Sequence, residues 1–409
     1  MKHLKVILHD RVVGFLEQNK NGRLSFRYTS DWLECADRRP LSQSLPLRAA
    51  AFGERECAAF FGGLLPEADN RERIASNLGI TARNDYAMLR EIGGECAGAL
   101  SLIATDKSPE PESDRYAPVT EDELILLLDQ LPQRPLLAGK GEIRLSLAGA
   151  QNKLALRYDA TGYAIPLNES PSTHILKPEW TRFPGLVDNE TYCLKLAADL
   201  GLNVCEVESR QFGSHRCLQV KRFDRVNQSG KVCRLHQEDF CQALGIPSRI
   251  KYQNEGGPDL AQCFDLVRRA SSSPAKDLLQ LFHAVLFNFL VGNHDAHGKN
   301  FSLLYSEPKE PLSIRLAPLY DLVSTAAYPD LTDKMAMKVG KTYKPMDLRL
   351  RDWELYWARI GFSGKQARRQ TLQFTEKLAT LATEPENEMQ DVIQKTIRSR
   401  IQALHRLNA

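Results

Sequence analysis

Apolar and polar residues alternate near 4–8 and 24–28, the period-two pattern of strands with one buried face. Apolar residues then recur at helical spacing near 55–62, 68–78 and 84–92, and an apolar run at 98–104 reads as a further strand. Residues 105–120 replace periodicity with Pro, Ser, Asp and Glu, the composition of a linker. A helix is predicted at 120–131. Short strands follow at 143–147, 153–158 and 163–166, separated by Gly or Asp-Ala-Thr-Gly turns, the pattern of an antiparallel sheet. A strand at 173–177, a helix at 188–200 and strands at 204–211 and 216–222 complete this part. Beyond about residue 236 the pattern is helical to the last residue, broken only at 292–324. No internal repeat is visible. The order predicts an α+β chain: a small unit at 1–104, a linker at 105–120, a sheet-rich lobe at 121–223 and a helix-rich lobe at 224–409.

Composition narrows the functional class. With 43% hydrophobic and 26% charged residues over 409 positions, the chain can bury a sizeable core. Lys5, His9, Asp10 and Arg11 interrupt the apolar stretch that a signal peptide would need, and no later segment has the length of a membrane span, so a cytoplasmic location with no membrane partner is expected. Nine scattered cysteines without a C-x-x-C pair indicate neither a disulfide framework nor a zinc cage. A net charge of +3 does not require a nucleic-acid partner.

Chemistry concentrates in one stretch. Leu278, Phe282, Val285 and Phe289 fall on one face of a helix that delivers the chain to Gly292-Asn293-His294-Asp295-Ala296-His297-Gly298-Lys299-Asn300. Two β-like runs, 301–305 and 312–316, then predict a hairpin that returns Tyr320-Asp321 beside this loop. Transfer of a phosphoryl group from ATP needs a carboxylate to receive the acceptor hydroxyl and oxygen ligands for Mg²⁺. Asp295, Asn300 and Asp321 fit those roles, and the five-residue step from Asp295 to Asn300 is that of a kinase catalytic loop. His294 and His297 have no third ligand at metal-site spacing. Lys177, on a strand of the sheet-rich lobe, fits as a point charge on phosphate, with Glu190 on the next helix to hold it. Ser146-Leu147-Ala148-Gly149-Ala150-Gln151-Asn152-Lys153 is built of small residues that let backbone amides approach an anion, although it lacks the Walker A and the usual kinase glycine patterns. A sheet-rich half before a helix-rich half is the order of a bilobal kinase, with nucleotide expected in the cleft between them.

Together these segments resemble the HipA family of toxin kinases. The resemblance runs through Phe60-Phe61-Gly62-Gly63-Leu64-Leu65-Pro66-Glu67, residues 146–153, residues 173–177, Asp188-Asn189-Glu190, Arg222-Phe223-Asp224-Arg225, Gln237-Glu238-Asp239, Lys251-Tyr252 with Gly256-Gly257-Pro258, residues 294–300 and Tyr320-Asp321, nearly the whole chain. It implies a bilobal HipA-like fold with an extra N-terminal subdomain. It implies a phosphate loop at Ala148, Gly149, Ala150, Gln151, Asn152 and Lys153, and Lys177 on ATP phosphate. The hinge Lys221, Arg222 and Phe223 would offer backbone groups to adenine, with His297, Gly298, Lys299 and Tyr320 lining the nucleotide site. The catalytic Asp falls on Asp295 and the Mg²⁺ ligands on Asn300 and Asp321. Ser146 falls where the family carries an autophosphorylated serine that silences the enzyme; a phosphate there would place up to about two negative charges beside a loop meant for ATP. The resemblance further implies a toxin restrained by a HipB-like helix-turn-helix antitoxin, operator DNA reached through that complex, and a translation component such as an aminoacyl-tRNA synthetase as protein substrate.

Two departures stand out. Lys221 occupies a hinge position where a relative can carry Glu, and Asn152 replaces a Glu, which leaves Lys153 without an obvious local partner. Two other functions remain open from the residues alone. A small-molecule phosphotransferase of aminoglycoside-kinase type shares the Asp, Asn and Asp logic. A non-enzymatic DNA-binding subunit could use the basic residues between Lys338 and Lys344 with Arg349, Arg351 and Arg359.

Overall fold

Leu4, Val6 and Leu8 point into one core while their neighbours face outward, so the strand Lys2–Leu8 lies inside a sheet. The computed structural model describes residues 2–105, 114–228, 230–307, 311–382 and 384–408. By contact it divides into two units, one of Met1–Trp180, Arg210–Ser248 and Leu304–Ser313, the other of Thr181–Ser209, Arg249–Leu303 and Ile314–Ala409.

In the first unit Lys2–Leu8 pairs antiparallel with both Arg11–Gln18 and Leu100–Ala104, and Leu24–Tyr28 adds at the outer edge of Arg11–Gln18. The strand Arg11–Gln18 was absent from the sequence prediction. Its hairpin turns on His9 and Asp10, both at positive φ (49° and 65°), a mirror-image turn normally announced by Asn-Gly or Asp-Gly and here made without glycine. Helices Glu54–Phe60, Ala68–Leu78 and Asp85–Ile92 lie where the periodicity predicts helices and share the core of this sheet. Phe26, Phe52, Phe60 and Phe61 form the aromatic centre of the core, with Phe26 5.4 Å from Phe61 and 6.0 Å from Phe52 between ring centroids.

The same unit contains the sheet that carries the phosphate-loop candidates. Its strands run in the order Arg115–Val119, Gly162–Leu167, Leu154–Asp159, His174–Pro178 and His215–Lys221, with Val207–Phe212 at the far edge. Residues 115–119, expected to be linker, form the edge strand against Gly162–Leu167, where Pro118 is tolerated because an edge has no neighbour to receive its missing N–H. Residues 106–113 of the expected linker lie outside the described residues. Residues 143–147, expected to be a strand, make only an isolated bridge of Leu145 to Glu95. The helix Glu121–Gln130 begins at Thr120, whose hydroxyl accepts from Glu123 N while Glu123 Oε2 accepts from Thr120 N.

The second unit is helical, with Leu186–Asp199, Leu260–Ala270, Pro274–Val291, Leu350–Arg359, Gly364–Leu381 and Glu388–Asn408. Pro274–Val291 is its central helix, buried almost continuously from Leu281 to Val291, which suits an apolar helix that must hold a polar loop still. Residues 325–349, expected to continue as helix, contain only the short turns Thr325–Ala327 and Pro345–Asp347, because Pro329, Gly340 and Pro345 interrupt any longer run. No helix among the described residues is long and apolar enough to cross a membrane.

Candidate functional site

The central helix ends at Gly292 with φ 81°, and the chain turns directly into the polar loop. Asn293, which the sequence reading passed over, organises it. Its Oδ1 accepts from Asp295 N at 3.1 Å, and its Nδ2 donates to Asn288 Oδ1 at 2.8 Å and, at a longer 3.4 Å, to the carbonyl of Asp321. His297 N and Asn300 Nδ2 both donate to the carbonyl of Asp295, at 2.8 and 3.2 Å. Tyr320 Oη donates to Lys299 O at 2.7 Å and lies 2.6 Å from Ser302 Oγ. The structure therefore brings Asp295, Asn300, Tyr320 and Asp321 together in one hydrogen-bonded group, within which His297 and Lys299 are buried.

Three features bear on what this group can hold. Asp295 is exposed, so its carboxylate is reachable. Asn300 spends its amide nitrogen on Asp295 O, which leaves Oδ1, a hard oxygen, as the atom able to ligate a cation. Asp321 sits at φ 53°, in the left-handed region that a non-glycine residue occupies at a cost, the kind of local strain that gathers at functional positions. An amide oxygen and a carboxylate fit Mg²⁺, which takes one or two protein oxygens and completes its shell with phosphate and water. His294 does not join them. Its Nε2 accepts from Arg400 Nη2 at 2.9 Å, so the proton sits on Nδ1, 3.1 Å from Thr332 O, and both ring nitrogens are committed to the protein. Burial and the adjacent Arg400 guanidinium lower its basicity.

The first unit carries the anion-binding candidates. Gly149 has φ 108°, and its carbonyl accepts from Glu67 N at 3.3 Å. Asn70 Nδ2 donates to Ala150 O at 2.8 Å, and Gln151 Nε2 to Pro178 O at 3.2 Å. Lys153 corrects an expectation: its Nζ donates to Ala148 O at 2.6 Å, so the loop supplies from its own backbone the local partner that the Glu-to-Asn departure seemed to remove. Ser146 is wholly buried, its hydroxyl donating to Leu64 O at 2.9 Å and its N–H to Glu95 O at 2.8 Å. Lys177 is buried on His174–Pro178 opposite Leu218. Glu190 is buried on the helix Leu186–Asp199 of the second unit.

The expected hinge divides. Lys221 is exposed at the end of its strand and Phe223 is half-buried. Arg222 turns inward: its N–H donates to Thr173 O at 3.0 Å, and its guanidinium is bonded to both oxygens of Glu95 at 2.9 and 3.1 Å, to both oxygens of Asp224 at 3.0 and 2.8 Å, to Ser172 Oγ at 2.8 Å and to Cys96 O at 3.2 Å. Arg225 closes the cluster on Glu95 and on Asp224 Oδ2, the latter at 2.9 Å. Burial alone would push both carboxyls up, but the two guanidinium groups outweigh it and hold Glu95 and Asp224 below the ordinary carboxylate range. The side chain of Arg222 is thus part of the first unit's interior, a role that an expectation based on its position beside the hinge did not contain.

An α+β chain with this loop belongs to the protein-kinase-like class. Residues 4–103 match the family model of the HipA N-terminal domain and residues 145–402 that of the HipA-like C-terminal domain, and the chain belongs to the HipA family. Its relatives carry kinase names. It is 45% identical over 381 residues, 92% of this chain and 90% of the relative, to Y4mE of Sinorhizobium fredii, whose name provisionally designates a kinase. It is 32% identical, over 84% of this chain and 79% of the relative, to the serine/threonine-protein kinase toxin HipA of Shewanella oneidensis. The solved complex of Shewanella oneidensis HipA with HipB and its operator DNA contains a similar chain, with a TM-score of 0.83 at 28% identity over 98% of this chain and 97% of that one.

Proposed function

We propose that this HipA-family kinase transfers the γ-phosphoryl group of Mg·ATP to serine or threonine, that it is the toxin of a toxin–antitoxin pair, and that phosphorylation of its own Ser146 silences it. The observation that carries the reading is the group of Asp295, Asn300 and Asp321, tied by Asn293 and by the Asp295 carbonyl.

Asp295, exposed on a loop with a fixed backbone, receives the proton of the acceptor hydroxyl as its oxygen bonds to the γ-phosphorus and the bond to the β,γ-bridging oxygen breaks, releasing ADP. Asn300 Oδ1 and the Asp321 carboxylate would hold Mg²⁺, which when bound neutralises charge on the phosphates. The backbone of Ala148, Gly149, Ala150, Gln151, Asn152 and Lys153 receives phosphate oxygens, and Lys177 adds a point charge. Lys221 and Phe223 flank the adenine, with His297, Gly298, Lys299 and Tyr320 near the nucleotide and Glu190 supporting the lysine.

The burial of Ser146 supports the switch. Its hydroxyl is buried and donates one hydrogen bond to Leu64 O, and a phosphate of three charged oxygens buried there would leave charge unpaired, so modification requires the segment before the phosphate loop to leave its seat. The likeness to a HipA solved with HipB and operator DNA supports a HipB-like antitoxin and a co-repressor role on DNA. The protein substrate is a translation component, with aminoacyl-tRNA synthetases as the first class to assay.

The test is phosphate transfer from Mg·ATP by the wild-type protein, by Asp295→Asn and by wild type with EDTA. Transfer only by wild type with metal supports the proposal; undiminished transfer by Asp295→Asn removes Asp295 from the mechanism.

A further inference from the structure

The motif Lys251-Tyr252 followed by Gly256-Gly257-Pro258 has no part in the chemistry above, yet it ends on the catalytic carboxylate. Tyr252 Oη donates to Asp295 Oδ1 at 2.8 Å, and its ring meets His297 edge to face, 5.3 Å between centroids at 74°. We infer that Tyr252 is a positioning residue: its hydroxyl fixes one oxygen of the Asp295 carboxylate and so presents the other, Oδ2, to the acceptor hydroxyl. The inference rests on the reading of Asp295 as the group that takes the acceptor proton.

Asp295 needs such a partner. Its backbone is fixed by Asn293, His297 and Asn300, but an exposed aspartate side chain otherwise samples several rotamers, and a proton acceptor misplaced by an ångström loses much of its effect. A hydrogen bond from a phenol to a carboxylate is of the stronger, charge-assisted kind and selects one rotamer.

Tyr252 is mounted to do this. Gln253 N donates to Ala336 O at 3.1 Å, and Gln253 Oε1 accepts from Lys338 N at 2.9 Å. Ala336 N in turn donates to His294 O at 2.7 Å, so one strip of backbone registers Tyr252 against the catalytic loop. On the other side, Glu255 N and Gly257 N both donate to Tyr252 O, at 3.0 and 2.8 Å. This folds the chain so tightly that a Cβ on Gly257 would lie 2.5 Å from Lys251 O and 2.6 Å from Ile250 O. A backbone pinned on both sides of one tyrosine suits a fixed strut. A hydroxyl that merely occupied the acceptor's place would have to withdraw at every turnover, and this mounting opposes withdrawal.

The experiment uses the full-length protein with Mg·ATP, following ADP release and phosphate gain by mass, for wild type, Tyr252→Phe and Asp295→Asn. Tyr252→Phe keeps the ring on His297 and loses only the hydroxyl. The expected result is a maximal rate lowered about tenfold or more, with the half-saturating ATP concentration and the melting temperature unchanged, a split that a purely structural tyrosine would not give. A Tyr252→Phe rate equal to wild type, with Asp295→Asn inactive, overturns the inference, and a rate above wild type overturns it and identifies the hydroxyl as an occupant that blocks the acceptor. Activity in Asp295→Asn would instead overturn the reading on which the inference stands.

Discussion

Replacing Arg222 with Met removes one cation from a sealed cluster of two arginines and two carboxylates. The side chains of Glu95, Asp224, Arg222 and Arg225 are each 2% exposed or less, so no water can replace the lost partner. Arg222 alone contributes six hydrogen bonds, four of them to carboxylate oxygens. Without it Glu95 and Asp224 share Arg225, and one buried negative charge is uncompensated. Breaking a buried ion pair by removing one partner costs about 3–5 kcal/mol. At roughly 2–4 °C per kcal/mol for a unit of this size, the melting transition of the first unit should fall by on the order of 10 °C. Calorimetry at pH 7, with a nucleotide titration alongside, checks this; Lys221→Ala, at the exposed neighbouring position, should move stability by less than about 0.5 kcal/mol. A melting change under about 2 °C would refute the reasoning, and weakened ATP binding beside it would place the Arg222 side chain at the nucleotide site.

Glu238 predicts a pH effect. Burial raises its carboxyl to about 7, against hydrogen bonds from Ser42, Tyr305 and Gln43. The folded chain thus keeps a proton that the unfolded chain releases above about 4.5, so stability falls as pH rises from about 4.5 to about 7, by ~3 kcal/mol. Glu238→Gln should flatten that slope in urea unfolding recorded between pH 5 and 8. Gly149→Ala forces a side chain onto a residue at φ 108° and sets its Cβ 2.7 Å from Lys153 Nζ, so ATP affinity measured by calorimetric titration should fall at least several-fold, with the melting temperature lowered by a few degrees. Ser146→Ala should keep phosphorylating a protein acceptor over an incubation in which the wild type loses activity, and decay at the wild-type rate would contradict the switch.

What the sequence discloses here is what depends on neighbours in the chain. The five-residue step from Asp295 to Asn300, the apolar helix before it and the return of Asp321 are local patterns that the sequence displays by itself, and the same residues are linked through Asn293 and the Asp295 carbonyl. The strand Leu24–Tyr28 has the predicted bounds because Leu24, Phe26 and Tyr28 make one buried apolar face, and the helix Ala68–Leu78 has them although Asn70 shares its buried side with Ile74 and Ala75. What escaped depends on distant partners or on backbone groups that a sequence does not display. Lys153 finds a carbonyl, Arg222 finds Glu95 more than a hundred positions away, and Tyr252 finds Asp295 across forty-three. Asn293 carried no signal because its work is to bond the backbone of Asp295 and Asp321.

The central claim is tested most directly by intact-mass and peptide mass spectrometry of the purified protein after incubation with Mg·ATP, comparing wild type with Asp295→Asn. The account predicts one added phosphate on wild type, located on Ser146, and none on Asp295→Asn. The same phosphate on both proteins would contradict the assignment of Asp295, and its absence from a wild type that binds ATP would contradict the self-silencing kinase.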